Sequence, residues 1–281
     1  YMQQAADEFP NVKFVSLTTC GSQTDGRDNT YNAFAAIYEG RYVAGVAAGL
    51  KLQELIDTGK IKADQAVIGY VGAFSFAEVI SGMTSYFLGA RSVCPSATMK
   101  VQFVGSWSDP TLEAEAAKAL IDKGAVMISQ HSDNTTPATT AQERGVFHTG
   151  YNNDMTGVAP KASLLSCRID WTNYFYTFIA NYINGVENPS DYCGEMAKGE
   201  VVVTELNEAI AAPGTKEKLA EVEAKIASGE LTHAFALDTN GDFTPDSEEA
   251  VFDGAFHESY FQSAPYFAIS IDGIEWLNAK Y

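Results

Sequence analysis

Residues 66–90, AVIGYVGAFSFAEVISGMTSYFLGA, decide how the chain is read. Residues 66–71 form an unbroken apolar run, Gly72 closes it, and residues 76–90 then read as a helix. A strand that is apolar on both faces must be covered on both faces, which is the condition of a parallel sheet between layers of helices.

The same unit recurs outward from this stretch. Upstream, residues 38–58 are small-residue-rich and helical up to Gly59, residues 12–18 (VKFVSLT) are β-rich, and residues 5–9 read as a helix end closed by Pro10. Downstream, residues 99–104 (MKVQFV), 125–129 (AVMIS), 146–149 (VFHT), 164–167 (LLSC) and 201–204 are strand-like. Helical stretches at 112–123, 139–144, 171–184 and 216–228 alternate with them, each closed by a glycine or a following polar turn. Asp109-Pro110 supplies an N-cap and a proline entry to the helix at 112–123. The alternation predicts an α/β fold with a covered parallel sheet. A βαβ unit normally begins with a strand, so the first helix lacks the strand expected before it. Residues 232–281 carry turn signals at Asn240-Gly241, Asp253-Gly254 and Asp272-Gly273 and weaker periodicity, and read as strands and loops packed on the α/β body.

Composition narrows the functions. The chain has 281 residues, 46% of them hydrophobic and 12% aromatic, enough for a core and too many for general disorder. Its net charge of −18 argues against nucleic-acid binding and against attachment to anionic lipid, both of which need clustered cations. No window approaches the roughly 18 apolar residues of a membrane span. The first ten residues, YMQQAADEFP, lack the basic start and apolar run of a signal peptide, which reads as a start after processing or truncation. Cys20, Cys94, Cys167 and Cys193 are widely spaced with no C-x-x-C, which leaves two disulfides or free thiols open and disfavours zinc and thioredoxin-type sites.

Catalytic signatures are weak. There is no phosphate loop, and the strand at 66–71 is followed by one glycine where the dinucleotide fingerprint needs three. No G-x-S-x-G elbow is present. His131 and Asp133 sit just past a strand end and could serve as acid and base, whereas His148, His233 and His257 are isolated. Asp238, Asn240, Asp242 and Glu249 have EF-hand-like spacing, but Phe243 occupies the glycine position, so a hairpin turn at Asn240-Gly241 is the reading. No cofactor and no metal is expected.

The informative pattern lies at the carboxyl ends of the strands, where parallel sheets place ligands. Those ends carry Phe74, then Trp107 with Asp109, then Gln130, His131 and Asp133, then Asn152 and Asp154, and lastly Asp170 with Trp171. Aromatic faces suit a flat heterocycle, and Asn, Gln and Asp side chains give directed hydrogen bonds to ring nitrogens, amino groups or sugar hydroxyls.

These residues also carry a family likeness. Glu39-Gly40-Arg41-Tyr42-Val43-Ala44-Gly45 resembles the E-x-x-Y-L-A-G helix start of the basic membrane protein family, the extracytoplasmic substrate-binding lipoproteins that include purine nucleoside receptors of ABC importers. The likeness continues through residues 68–74, Glu78-Val79-Ile80, Trp107-Ser108-Asp109-Pro110, residues 130–133 and Gly150-Tyr151-Asn152-Asn153-Asp154-Met155. It implies a type I periplasmic-binding-protein fold, two Rossmann-like lobes with a ligand cleft between them. On that basis residues 1–65 and 170–190 form a partial N-lobe missing its first strands, residues 66–169 and 195–230 form the C-lobe, and residues 231–281 pack on both. An aromatic ring, Trp107 or Phe74, would stack on a purine, and an acid would bind ribose. Where nucleoside receptors resemble G-V-D-x-D, this chain has Asn152 in place of the first acid and keeps Asp154, a change that favours a free base or weakens ribose recognition.

The expected function is therefore capture of a purine nucleoside or nucleobase for a membrane permease, outside the cytoplasm, with any membrane anchor beyond this chain. The expected ligand residues are Phe74, Trp107, Gln130, His131, Asp133, Asn152, Asp154 and Trp171. One rival is an enzyme acting on a nucleoside or sugar through His131 and Asp133. The other is a sugar-responsive regulator, which would need a basic DNA-binding head that is not visible here.

Overall fold

The apolar run at 66–71 becomes β3 (Val67–Gly72), with every residue buried. It lies inside a seven-stranded sheet of order β13 (Ile274–Trp276), β4 (Thr98–Phe103), β3, β5 (Met127–His131), β6 (Phe147–Tyr151), β7 (Ser163–Ile169) and β9 (Val201–Val203). All neighbours are parallel except β7 and β9. The computed structural model describes residues 1–17, 25–231, 234–236, 251–252 and 255–278. Cys20, His233, the acidic stretch at 238–249 with its Asn240-Gly241 turn, and the Asp253-Gly254 turn lie outside the described residues.

Side chains alternate across β3 as a pleated strand requires. Ile68 and Tyr70 join one core with α2 (Ile37–Asp57), α3 (Ala77–Val93) and α7 (Thr215–Ala227). Val67 and Val71 join the opposite core with α4 (Pro110–Asp122) and α5 (Thr136–Glu143). Asp109 caps α4 as its sequence predicts, its Oδ1 accepting from the N–H groups of Thr111 and Leu112 at 3.0 Å, an interaction worth about 1 kcal/mol. The chain runs from β3 to β4 on one side and then to β5 on the other. The strand order thus reverses beside β3, and the crevice at such a reversal is where parallel sheets bind ligands.

A second sheet is smaller, with parallel order β1 (Phe14–Ser16), β2 (Thr30–Ala35) and β8 (Asp191–Gly194). Helix α6 (Thr172–Ile183) covers it through Tyr174 and Phe178, which pack with Tyr31 and Ala33. Helix α1 (Met2–Glu8) lies beside β1 and β2, and the Asn29 amide donates to the Ala6 carbonyl at 3.0 Å. Beyond residue 231, β10 (Ala234–Ala236), β11 (Val251–Phe252) and β12 (Ala255–His257) form a small antiparallel sheet, while β13 docks beside β4.

Helix α2 packs on α3, α7 and the β7 side of the larger sheet, so the chain leaves the smaller sheet at Ala36. It returns after β7 at Asp170, and crosses again between β8 and β9 through residues 195–200. These three passages lie side by side: the Ala36 N–H donates to the Gly194 carbonyl and the Asp170 N–H to the Glu200 carbonyl, both at 2.8 Å. The Met196 N–H donates to the buried Glu39 carboxylate at 2.6 Å. Of the four cysteines, Cys94, Cys167 and Cys193 are free thiols.

The α2–α3 contact is unusually close because glycines line it. A Cβ on Gly45 would stand 1.9 Å from the Tyr86 carbonyl oxygen, and one on Gly89 would stand 2.2 Å from that of Tyr42. Backbone on both sides leaves nothing to yield. Gly45→Ala is therefore expected to cost about 3 kcal/mol or more, read as a lowered urea midpoint; an unchanged midpoint would show that the helices separate freely.

Candidate functional site

The parallel strands of both sheets point their carboxyl ends at one hollow of about 650 Å³. That volume is in the ordinary range for small-molecule sites. Leu17 and Phe34 enter it from the smaller sheet, and Phe76, Glu78, Trp107, Asp133, Tyr151 and Asn152 from the larger one. Ile169 enters it from the end of β7, Trp171 from the passage between the sheets, and Gln262, Ala264 and Pro265 from the C-terminal segment. Among the described lining residues there are two carboxylates and no lysine or arginine.

The aromatic wall is built ring on ring. Phe74 stacks on Phe76 at 4.9 Å with planes 8° apart, and Trp107 leans on Phe74 at 5.4 Å and on Phe76 at 6.2 Å. Trp107 meets His131 at 6.2 Å, and His131 meets Tyr151 at 4.5 Å. Beneath Tyr151 lies the Arg41 guanidinium, fully buried and 3.8 Å from the ring centroid, with Nη1 donating to the Gln130 carbonyl at 2.8 Å. A buried cation over an aromatic face is attracted by the ring's quadrupole, which offsets part of its lost hydration. Trp171 stands apart from this chain of rings, capping the start of α6.

The polar side is equally supported. The Asp133 N–H donates to the Trp107 carbonyl at 2.8 Å, tying the loop after β5 to the loop after β4. Asn152 holds a left-handed backbone, φ 61°, which asparagine tolerates better than most residues, and its amide donates to Asp133 Oδ1 at 3.2 Å. Burial pushes the Asp133 carboxyl up; the Asn152 bond works against this and the Glu78 charge adds to it. Gln130 donates to the carbonyls of Ser132 and Asn134 and faces His148 Nε2 at 3.0 Å, while the buried Glu113 accepts from Ser132 at 2.7 Å and from Asn134.

Of the expected site residues, Trp107, Asp133, Asn152 and Trp171 line the hollow together. Phe74 stands behind Phe76 and Trp107. Gln130 and His131 are the last residues of β5 rather than a loop after it, and both are buried; Gln130 braces the loop that carries Asp133, while the His131 ring packs between Trp107 and Tyr151. Asp154 is exposed, outside the lining, and its carboxylate accepts from the N–H and hydroxyl of Thr156 at 2.8 and 2.7 Å. The reading from sequence left out Phe76, Glu78, Tyr151 and Gln262. Phe76 and Glu78 follow the end of β3 by four and six residues and Tyr151 ends β6, so position along the strands could point to them; Gln262 sits in the aperiodic C-terminal stretch, where no such signal exists. A second hollow, about 940 Å³, lies at the amino ends of β2 and β8 between Lys13, Arg27 and Tyr182, away from the strand ends that converge on the first.

Comparison with known proteins agrees with this architecture. The family described as ABC transporter substrate-binding protein PnrA-like matches residues 1–232. A purine-binding protein of Brucella abortus is 37% identical over 229 residues, 81% of this chain and 60% of the relative. A protein named as an ABC transporter glucose-binding protein in Haloferax volcanii is 33% identical over 230 residues, 82% of this chain and 55% of the relative. The chain thus spans little more than half the length of these curated relatives. Among solved structures, an ABC transporter solute-binding protein of Aeropyrum pernix superposes with a TM-score of 0.68 at 15% identity, covering 89% of this chain and 75% of that one. One from Conexibacter woesei gives 0.60 at 19% identity, covering 82% and 74%. The fold is the type I fold of periplasmic solute-binding proteins.

Two imidazoles below the hollow make stability depend on pH. Burial pulls His131 down to about 4, with the Arg41 charge adding to the effect, and pulls His148 down to about 3. In the unfolded chain both titrate near about 6.5, so their contribution is complete above that pH and is lost as pH falls toward the folded values. His148→Gln should therefore lower the urea midpoint more at about pH 7.5 than at about pH 5. An equal loss at both would mean that the imidazole is not held neutral.

Proposed function

Because the chain belongs to the PnrA-like family of ABC transporter substrate-binding proteins, we propose that it captures a purine nucleoside or nucleobase between its two sheets and hands it to a membrane permease. The observation that carries this reading is the composition of the 650 Å³ hollow. Trp107, Phe76, Tyr151 and Trp171 supply flat apolar faces, Glu78, Asp133, Asn152 and Gln262 supply directed polar groups, and the described lining residues include no lysine or arginine. Rings of this kind suit a planar heterocycle, and two carboxylates without a cation disfavour a phosphorylated one. The Brucella relative, named for purine binding, favours the same class.

Capture works by closure. The three passages near Ala36, Asp170 and residues 195–200 are the segments that bend, bringing the wall from the larger sheet toward Phe34 and Leu17 of the smaller one. Closing over the ligand desolvates both carboxylates, so a solute that leaves them unpaired is rejected. The permease then reads the closed form. The working place is extracytoplasmic, with attachment to the membrane through a segment outside this chain; no helix among the described residues is long and apolar enough to cross a membrane.

Turnover is not part of this reading. His131, the acid–base candidate, is 1% exposed and lies behind Tyr151 and Trp107 rather than in the lining, and burial disfavours its charged form. A sugar is the second reading, favoured by the Haloferax relative. Calorimetry with adenosine, hypoxanthine and glucose separates the two. The expected result is binding of the purines, weakened at least tenfold, about 1.4 kcal/mol, by Trp107→Ala. Glucose binding alone would replace the purine reading, and nucleoside products seen by chromatography would replace the binding-only one.

A further inference from the structure

The family match ends at residue 232, yet the wall of the hollow does not. Residues 258–267 run past its mouth and are fastened to both halves of the molecule. In the middle of the segment, Ser263 donates through its N–H to the Asp191 carboxylate at 2.8 Å and through its hydroxyl to the other oxygen of the same group. The Asn32 amide donates to Ser263 Oγ and to Asp191, each at 3.0 Å. Asp191 belongs to β8 and Asn32 to β2, so this tie is to the smaller sheet.

The other fastening is to the larger half. Glu258, 1% exposed, accepts the N–H groups of Tyr266 and Phe267, closing the segment on itself. Phe267 is buried in the core shared by α2 and α3, and Ile271 follows it there before β13 pairs with β4. The chain therefore forms a strap from the edge of the seven-stranded sheet to the centre of the small one. Gln262 immediately precedes the Ser263 tie and is held at the hollow by it.

We propose that Gln262 is a specificity-determining residue, which reads an adjacent donor and acceptor on the edge of a planar heterocycle. The inference rests on the reading of the hollow as the ligand site. Among the lining groups, the ionised Glu78 and Asp133 only accept, the indoles only donate, the Tyr151 hydroxyl offers a single atom, and the Asn152 amide already spends an N–H on Asp133. The Gln262 amide has no hydrogen-bond partner among the described residues and offers a coplanar N–H and C=O. Such an amide pairs with a purine edge in two-point fashion, as glutamine does with adenine elsewhere. A ring without an exocyclic group at that edge can take only one of the two bonds.

The test is calorimetry of adenine, hypoxanthine and unsubstituted purine with the wild-type chain, Gln262→Ala and Gln262→Glu, with melting temperatures recorded alongside. The wild type is expected to prefer adenine or hypoxanthine over unsubstituted purine. Both variants should reduce that preference at least tenfold, the affinity for unsubstituted purine falling only by the smaller loss of its single bond and the melting temperature staying unchanged. Variants that keep the wild-type preference would overturn the role of Gln262 while leaving the purine reading intact. A uniform loss for all three ligands would reduce the strap to a structural support. If the wild type binds none of the three, the purine reading itself falls, and this inference with it.

Discussion

Between β2 and β9 the chain passes three times between its two parallel-stranded sheets, and each passage must satisfy its own backbone hydrogen bonds. Each does so by bonding to another crossing: Ala36 to Gly194, Asp170 to Glu200, and Met196 to the Glu39 carboxylate. Unpaired buried N–H groups cost on the order of 1–3 kcal/mol, so the crossings cannot drift apart singly. This mutual bonding sets one sheet against the other with the strand ends facing, and the hollow between them is a consequence of it.

The hollow keeps its shape because buried polar groups hold the loops that line it. Gln130 is fully used, bonding the carbonyls of Ser132 and Asn134 and the ring of His148, and accepting from Arg41 through its own carbonyl. Glu113 secures the same loop from α4. The lining side chains themselves, Asp133 and Trp107, make few such bonds and so keep their polar and aromatic surfaces for a ligand. His131, a ligand candidate by type, lies one layer behind the lining, against Trp107 and Tyr151.

The periodic elements were legible. Residues 66–71 are apolar without interruption and form the buried β3, and the glycine at 59 or 124 ends the helix before it as glycine does. Strand β2, TYNAFA, was not legible, because Thr30 and Asn32 interrupt the apolar pattern. Both are buried, and Asn32 reaches Asp191 and Ser263, partners 159 and 231 residues away that no local window contains. The placement of α2 was not legible for a related reason. The helix follows a strand of the small sheet, but Gly45, Gly49 and Gly89 let it press against α3, and no sequence neighbour reveals that contact.

By itself the sequence determined the alternation of buried strands and helices, the polar and aromatic character of the strand ends, and the family likeness of residues 1–232, because each is a property of neighbouring residues or of their order. Only the tertiary structure decided which of those residues share a cavity. Asp133 and Trp107 meet through one backbone hydrogen bond between two loops, Asp154 turns away to bond Thr156, and Gln262 arrives from a segment tied down by Asp191 and Glu258. Convergence depends on where distant hydrogen bonds close, and those bonds exist only once the chain has folded.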